Sequence, residues 1–256
     1  MKTKLTFLFG AILGLSLSTV SAQPGMGGPP PCPEFGTAMA RLLGEHKTFS
    51  ANLEFQVKEK SGEMTIMPGK LAYLEGKSHF AVNMAEVKSP QLPAGDRSQL
   101  KEMGMDKMTV ISRPDKKVSY YVYPSMNAYF ESPLKEAAPA QVSSDYKLEV
   151  TELGKEVIDG HECVKNKVVG TDKDGKKEEA TVWNAGDLKK FPLRIETVED
   201  GKQVVKLFKD VKLTKPDAAL FDAPAGSTKY DSMMALIQGE MMKRMGGGGG
   251  FPLPGR

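Results

Sequence analysis

Cysteine and histidine are scarce in this 256-residue chain, which has two cysteines, Cys32 and Cys163, and three histidines, His46, His79 and His161. A zinc or copper centre needs three or four ligands at short spacing. There is no paired Cys-x-x-Cys and no His-Glu-x-x-His, so neither a metal nor a cofactor is expected. Charge of one sign is lacking too: 35 Lys and Arg stand against 32 Asp and Glu, a net +3. Nucleic-acid binders carry a strong basic excess, so that class is excluded. No glycine-rich phosphate loop is present. Nor is there a nucleophile with a base and a third group to orient it, so no catalysis is expected.

Long apolar runs are lacking outside the start, MKTKLTFLFGAILGLSLSTVSA. That run is too short and too interrupted by Gly and Ser for a good membrane span. Lys2 and Lys4 precede it, and Val20-Ser21-Ala22 gives the small residues of a cleavage site. Residues 1–22 therefore read as a secretory signal peptide cut near Ala22. No cysteine follows at once, so no lipid anchor is expected there. The expected product is a soluble periplasmic or secreted protein of 256 − 22 = 234 residues. In an oxidising compartment Cys32 and Cys163 form a candidate disulfide. It would close a loop of about 130 residues, a constraint of about 4–5 kcal/mol.

What is present is a β pattern between two irregular ends. Residues 23–34 are a Pro/Gly-rich leader, and residues 246–256, GGGGGFPLPGR, form a flexible tail. The domain between them spans 35–230. Residues 35–46 fit a short amphipathic helix, with Met39, Leu42, Leu43 and His46 at helical spacing. In FSANLEFQVK, Phe49, Ala51, Leu53, Phe55 and Val57 alternate without fault with polar residues, the pattern of a half-buried strand. Further strands follow, with turns at Glu75-Gly76-Lys77, Arg113-Pro114-Asp115, Asp174-Gly175 and Asp200-Gly201. A short helix around Arg97–Met103 interrupts the series. A Met-rich helix over 231–245 closes it, with Met233, Met234, Leu236, Ile237, Met241, Met242 and Met245 as its apolar side.

The expected fold is mainly β: a curled, half-open antiparallel β-barrel of about nine to eleven strands with a few short covering helices. The alternating apolar set supplies candidates for the lining of an apolar cavity. They are Leu53, Phe55, Leu71, Tyr73, Phe80, Val82, Met84, Tyr120, Val122, Leu193, Ile195, Val205 and Leu207.

Three blocks resemble the LolA/LolB-like periplasmic lipoprotein-carrier superfamily and its lipoprotein-sorting relatives. They are HKTFSANLEFQV with PGKLAYLEGKSHFAVNM; KVSYYVYPSMNAYF; and VIDGHECVKNKVV, EATVWNAG, FPLRIETVEDGKQVVKLFKDVKL with ALFDAPAGS. The resemblance implies a half-open barrel closed by short helices around an apolar cavity that shelters a lipid or an acylated protein. This chain departs from the carriers between Tyr73 and Phe80, where Lys77 and His79 stand in place of an Arg-Pro pair. The resemblance thus speaks more for the container than for its cargo.

Three features remain. Gly160-His161-Glu162-Cys163 reads as a turn running into a strand, since a His and a Cys alternating on one strand offer two ligands at most. Met103, Met105 and Met108 are a soft-sulfur set that would suit Cu(I), but methionine also fills irregular apolar space. Trp183, Arg194 and Phe208 read as sheet framework. The alternatives to lipid binding are an envelope interaction or sensor protein, docking a protein partner through the C-terminal Met-rich helix, and Met-based Cu(I) binding.

Overall fold

The computed structural model describes residues 33, 35, 37–134, 147–171, 175 and 177–246. The signal-peptide segment, most of the leader, Cys32, Asp174 and the tail beyond residue 246 lie outside them.

Among the described residues twelve strands form one sheet. They are β1 (Thr48–Lys58), β2 (Met64–Leu74), β3 (Lys77–Asn83), β4 (Lys107–Arg113), β5 (Val118–Tyr123), β6 (Ala128–Pro133), β7 (Lys147–Ile158), β8 (His161–Thr171), β9 (Lys177–Ala185), β10 (Phe191–Glu199), β11 (Lys202–Lys212) and β12 (Thr228–Tyr230). Their spatial order is β12-β6-β5-β4-β3-β2-β1-β11-β10-β9-β8-β7. Among the described residues β12 and β7 do not pair, so the sheet is open. It consists of two meanders joined by the antiparallel pairing of β1 with β11. The strand beyond the expected nine to eleven is β12, three residues long and parallel to β6, too short to leave a periodic signal.

Two-residue hairpin turns set much of the register. Asp159 and Gly160 both take positive φ, 49° and 83°, as do Asp200 and Gly201 at 51° and 77°. This backbone twist matches that of the strands it joins. The described residues hold three α-helices: α1 (Thr37–Leu43), α2 (Ala94–Met103) and α3 (Met233–Gly246). The first is shorter than its apolar spacing suggests, because Gly44 turns left-handed at φ 59°.

The register divides the sheet into two faces. Phe49, Ala51, Leu53, Phe55 and Val57 of β1 point one way and pack with Met39, Leu43 and Leu236 of the helices in the main core. This is the helix-covered face. Ser50, Asn52, Glu54 and Gln56 point the other way. Part of that second face carries a smaller core of Ala72, Leu74, Ile111, Tyr120 and Val122 under Phe221. Phe221 ends a 3-10 turn, Ala218–Phe221, in the segment that crosses this face. Arg113 fastens the segment: its guanidinium donates to the Phe221 carbonyl at 2.9 Å and to Asp222 at 2.5 Å, and pairs with Asp115 at 2.8 Å.

Among the described residues the edge strand β7 is uncovered on both faces, with Leu148, Val150, Leu153 and Val157 exposed. A break in its register at Leu153-Gly154 and the charges of Glu149, Glu152 and Lys155 guard it against adding another strand. The Met-rich helix packs through a narrower stripe than its sequence suggests. Leu236 is fully buried, whereas Met234, Met241, Met242 and Met245 stand in solvent.

Candidate ligand-binding face

On the helix-covered face the backbone pairing sets side chains in rows. Leu53 lies opposite Gly69, which lies opposite Val82 and then Met108. Ala51, Leu71, Phe80 and Val110 form the next row, and Phe49, Tyr73 and Ser78 the one beyond. On the other wing Leu193 and Ile195 flank Arg194 and turn to this face, beside Phe208 and Val204. Leu53, Phe55, Leu71, Tyr73, Phe80, Val82, Met84, Leu193 and Ile195 thus all belong to one apolar surface, and each is buried. At one end Phe49 meets the rings of Tyr73, Phe191 and Phe208 at centroid distances of 5.3, 4.9 and 6.0 Å.

Four candidates fall on the opposite face. Tyr120 lies in the row of Ile111, His79, Ala72 and Ser50; Val122 lies in the row of Thr109, Ala81, Lys70 and Asn52. Both therefore pack towards Phe221. Val205 pairs with Gln56 and Glu196, and Leu207 with Glu54 and Arg194. The cause is local. In β5 apolar residues occupy both faces, because both are covered. In β11 the inward set is Val204, Lys206 and Phe208, and the lysine makes the outward set look like the apolar one. Sequence reasoning missed Lys206 altogether; a lysine between two inward apolar positions was the available signal.

The opposite face holds a hollow of about 640 Å³. Asn52, Glu54, Lys70, Lys107 and Lys209 rim it, with Ala81 between them. Lys209 donates to Glu54 at 3.2 Å, and Gln56 donates to the same carboxylate at 2.6 Å. Leu53, Pro68, Val82 and Met108 also line it.

His161 opens β8 and its Nδ1 lies 2.6 Å from Asp187, whose carboxyl is held below its usual range by that contact. Among the described residues Cys163 is a buried thiol with no disulfide partner, and burial pushes its pKa up. It donates to the His161 carbonyl at 3.5 Å. A thiol kept protonated is the reverse of an activated nucleophile. Its candidate disulfide partner, Cys32, lies outside the described residues. Among the described residues no group of three or more His, Cys, Asp and Glu side chains gathers as a metal site. Met105 and Met108 are buried in the main core and Met103 packs against it, so these thioethers act as filler. Trp183 is nearly buried on the otherwise polar face. Lys165 and Arg194 lie 5.0 and 4.9 Å from its ring, and its indole N–H donates to Glu156 at 2.8 Å. With Phe208 it is framework.

Burial holds the pKa values of His46 and His79 below the ordinary value. The folded protein therefore resists protonating them, while the unfolded chain takes up protons from about pH 6.5 downwards. Stability is fully present above that pH and falls as pH drops towards the lowered folded values. Hydrogen bonds from Arg113 depress Asp115 and Asp222, so a second loss follows in the acid carboxylate range. The melting temperature is expected to be lower at pH 5.5 than at pH 7.5, with His79→Gln flattening that interval. A melting temperature that rises on acidification would contradict this.

Residues 94–191 match a family model described as a domain of unknown function, DUF4412. No curated protein matches the chain. Among solved structures it is similar to a LolA superfamily protein from Nitrosomonas europaea, at 12% identity and TM-score 0.36, over 72% of this chain and 93% of that one. It is similar to the lipoprotein LppX of Mycobacterium tuberculosis at 13% identity and TM-score 0.40, over 68% and 93%. A third is LprF from Mycobacterium bovis, at 15% identity and TM-score 0.37, over 69% and 95%. These are likenesses of fold at loose overlay, and they assign no ligand and no reaction to this chain.

Proposed function

We propose that this exported protein holds an amphiphile, a lipid or a lipid-modified partner, against the helix-covered face of its open sheet and carries it without chemical change. The observation that supports this is the apolar surface itself. It runs from Phe130 of β6 through Leu53 and Phe55 of β1 to Val182 of β9, with Lys206 of β11 as a charged position within it. Among the described residues the sheet bearing it is not closed on itself, and three helices lie on that side. A surface of this extent on an open sheet can exchange helix contacts for contacts with an acyl chain.

The energetics suit a reversible carrier. Each buried methylene is worth about 0.8 kcal/mol, so a chain of about fourteen carbons gains on the order of 11 kcal/mol gross. Association costs and lost helix packing offset most of that. The reading is tested by native mass spectrometry of the full chain expressed with export and purified without detergent. Adducts of fatty-acid or phospholipid mass are expected, released by organic extraction. Adduct-free protein that also ignores a fluorescent fatty acid would overturn it.

A further inference from the structure

The loop between β9 and β10 ends in a two-residue turn that its own residues resist. The Phe191 N–H donates to the Leu188 carbonyl at 3.0 Å, and between them Lys189 and Lys190 both take positive φ, 55° and 61°. The turns at Glu75-Gly76, Asp159-Gly160 and Asp200-Gly201 all put glycine at the second such position. A lysine there sets its β-carbon against the backbone, at a cost in free energy that Asn-Gly would avoid. The turn is held from outside itself. His46 donates from Nε2 to the Lys189 carbonyl at 3.1 Å, and its ring meets that of Phe191 edge-on at 5.1 Å. Asn184 donates to the Lys190 carbonyl at 3.0 Å. Strain that the surroundings hold in place points to a functional position.

Both lysines line a hollow of about 460 Å³ beside the C-terminal end of α1. Lys47 lines it too, against one carboxylate, Glu45. Among the described residues none of these three ammonium groups makes an ion pair or a hydrogen bond. A cleft with an excess of one charge draws in the opposite one. The base of the hollow is apolar. Leu42, Leu43 and Leu213 line it; Leu43 is buried in the main core and the other two pack against it. Phe191, next after the turn, lies in the same core against Phe49. Exposed lysines above core side chains suit the junction between a charged head and a hydrocarbon tail.

We propose that Lys47, Lys189 and Lys190 receive the head group of the bound amphiphile, and that the preferred ligand is an anionic phospholipid rather than a zwitterionic one. This rests on the amphiphile-holding role proposed above. Ammonium groups make their strongest hydrogen bonds to anionic oxygens. A zwitterionic head brings a cation of its own to the same lysines, and a fatty-acid carboxylate would fill little of the hollow. The tail passes beside Leu42 and Leu43 towards Phe49.

The test incubates the full chain at pH 7.5 with vesicles of phosphatidylglycerol and phosphatidylcholine in equal parts, with the same tails. Gel filtration removes the vesicles, and native mass spectrometry then counts the bound lipid, so adhesion to a charged surface scores as no binding. Bound phosphatidylglycerol is expected to exceed phosphatidylcholine at least about tenfold, about 1.4 kcal/mol, with the preference shrinking as salt rises. The double variant Lys189→Asn, Lys190→Gly carries residues that favour the turn. Its melting temperature should equal or exceed that of the wild type, while the two lipids bind equally. Lys47→Gln, outside the turn, should lose part of the preference by itself. Excess glycerol 3-phosphate, a head without tails, should not reduce lipid uptake; displacement by it would assign the hollow to a soluble phosphoester and overturn the proposal. Equal binding of the two lipids by the wild type, or a preference that survives in the double variant, would also overturn it and leave the carrier reading in place. Protein that takes up neither lipid but holds a fluorescent fatty acid would overturn the head-group site alone. Protein that binds none of the three would overturn both.

Discussion

Phe49→Ala is expected to lower the unfolding free energy by about 3–5 kcal/mol, the usual range for truncating a buried aromatic. Phe49 is fully buried and joins three further rings, those of Tyr73, Phe191 and Phe208. It sits on β1, the strand that joins the two meanders through β11, so the cavity would open at the seam of the sheet. For a domain of this size the melting temperature should fall by roughly 10 °C. Denaturation in urea checks the free energy, with the fluorescence of Trp183, the sole tryptophan, as the probe. A loss under about 1 kcal/mol would mean that the ring cluster does not hold the seam.

The second large effect is expected at Gly69. A β-carbon placed there would stand 2.5 Å from Cε2 and 2.6 Å from Cζ of Phe80, and 2.7 Å from the backbone oxygen of Ala81. The Phe80 ring occupies the space that a side chain would need, and the ring is itself buried. Replacing Gly by Ala ordinarily stabilises by up to about 1 kcal/mol through the unfolded chain. Here overpacking reverses the sign, so Gly69→Ala should cost about 1–3 kcal/mol. Phe80→Leu alone should cost about 1 kcal/mol and free the space over residue 69. The double variant should therefore lose less than the sum of the two. Additive losses, or a gain from Gly69→Ala, would show that the ring does not lie over the glycine.

Much of this fold is legible in the residues, and the failures have physical causes. β1 is plain because its apolar and polar residues alternate without fault, one face being covered by helices and the other mostly wet. The turns at Asp159-Gly160 and Asp200-Gly201 are plain because positive φ is written in the residue types. β5 is ambiguous: Tyr120 and Val122 pack under Phe221 while Tyr121 and Tyr123 pack under the helices, so alternation carries no sign. β11 misleads for the opposite reason. A lysine at an inward position breaks the apolar series, and the outward pair Val205 and Leu207 takes its place in the pattern. The candidate face is therefore readable from β1 to β3 and at Leu193 and Ile195. Lys206 is harder to read, because a lysine ordinarily faces solvent and only its place midway between Val204 and Phe208 marks it as inward.

The account's central claim concerns where a hydrocarbon chain lies on this molecule. A palmitic acid carrying a photoreactive diazirine near its tail, bound to the full chain and then illuminated, tests it most directly by peptide mapping. Labelling of peptides that hold Leu53, Phe55, Phe80 or Ile195 is the expected result. Labels confined to the opposite face, at Tyr120, Val122 or the Asn52 and Lys70 rim, would contradict it.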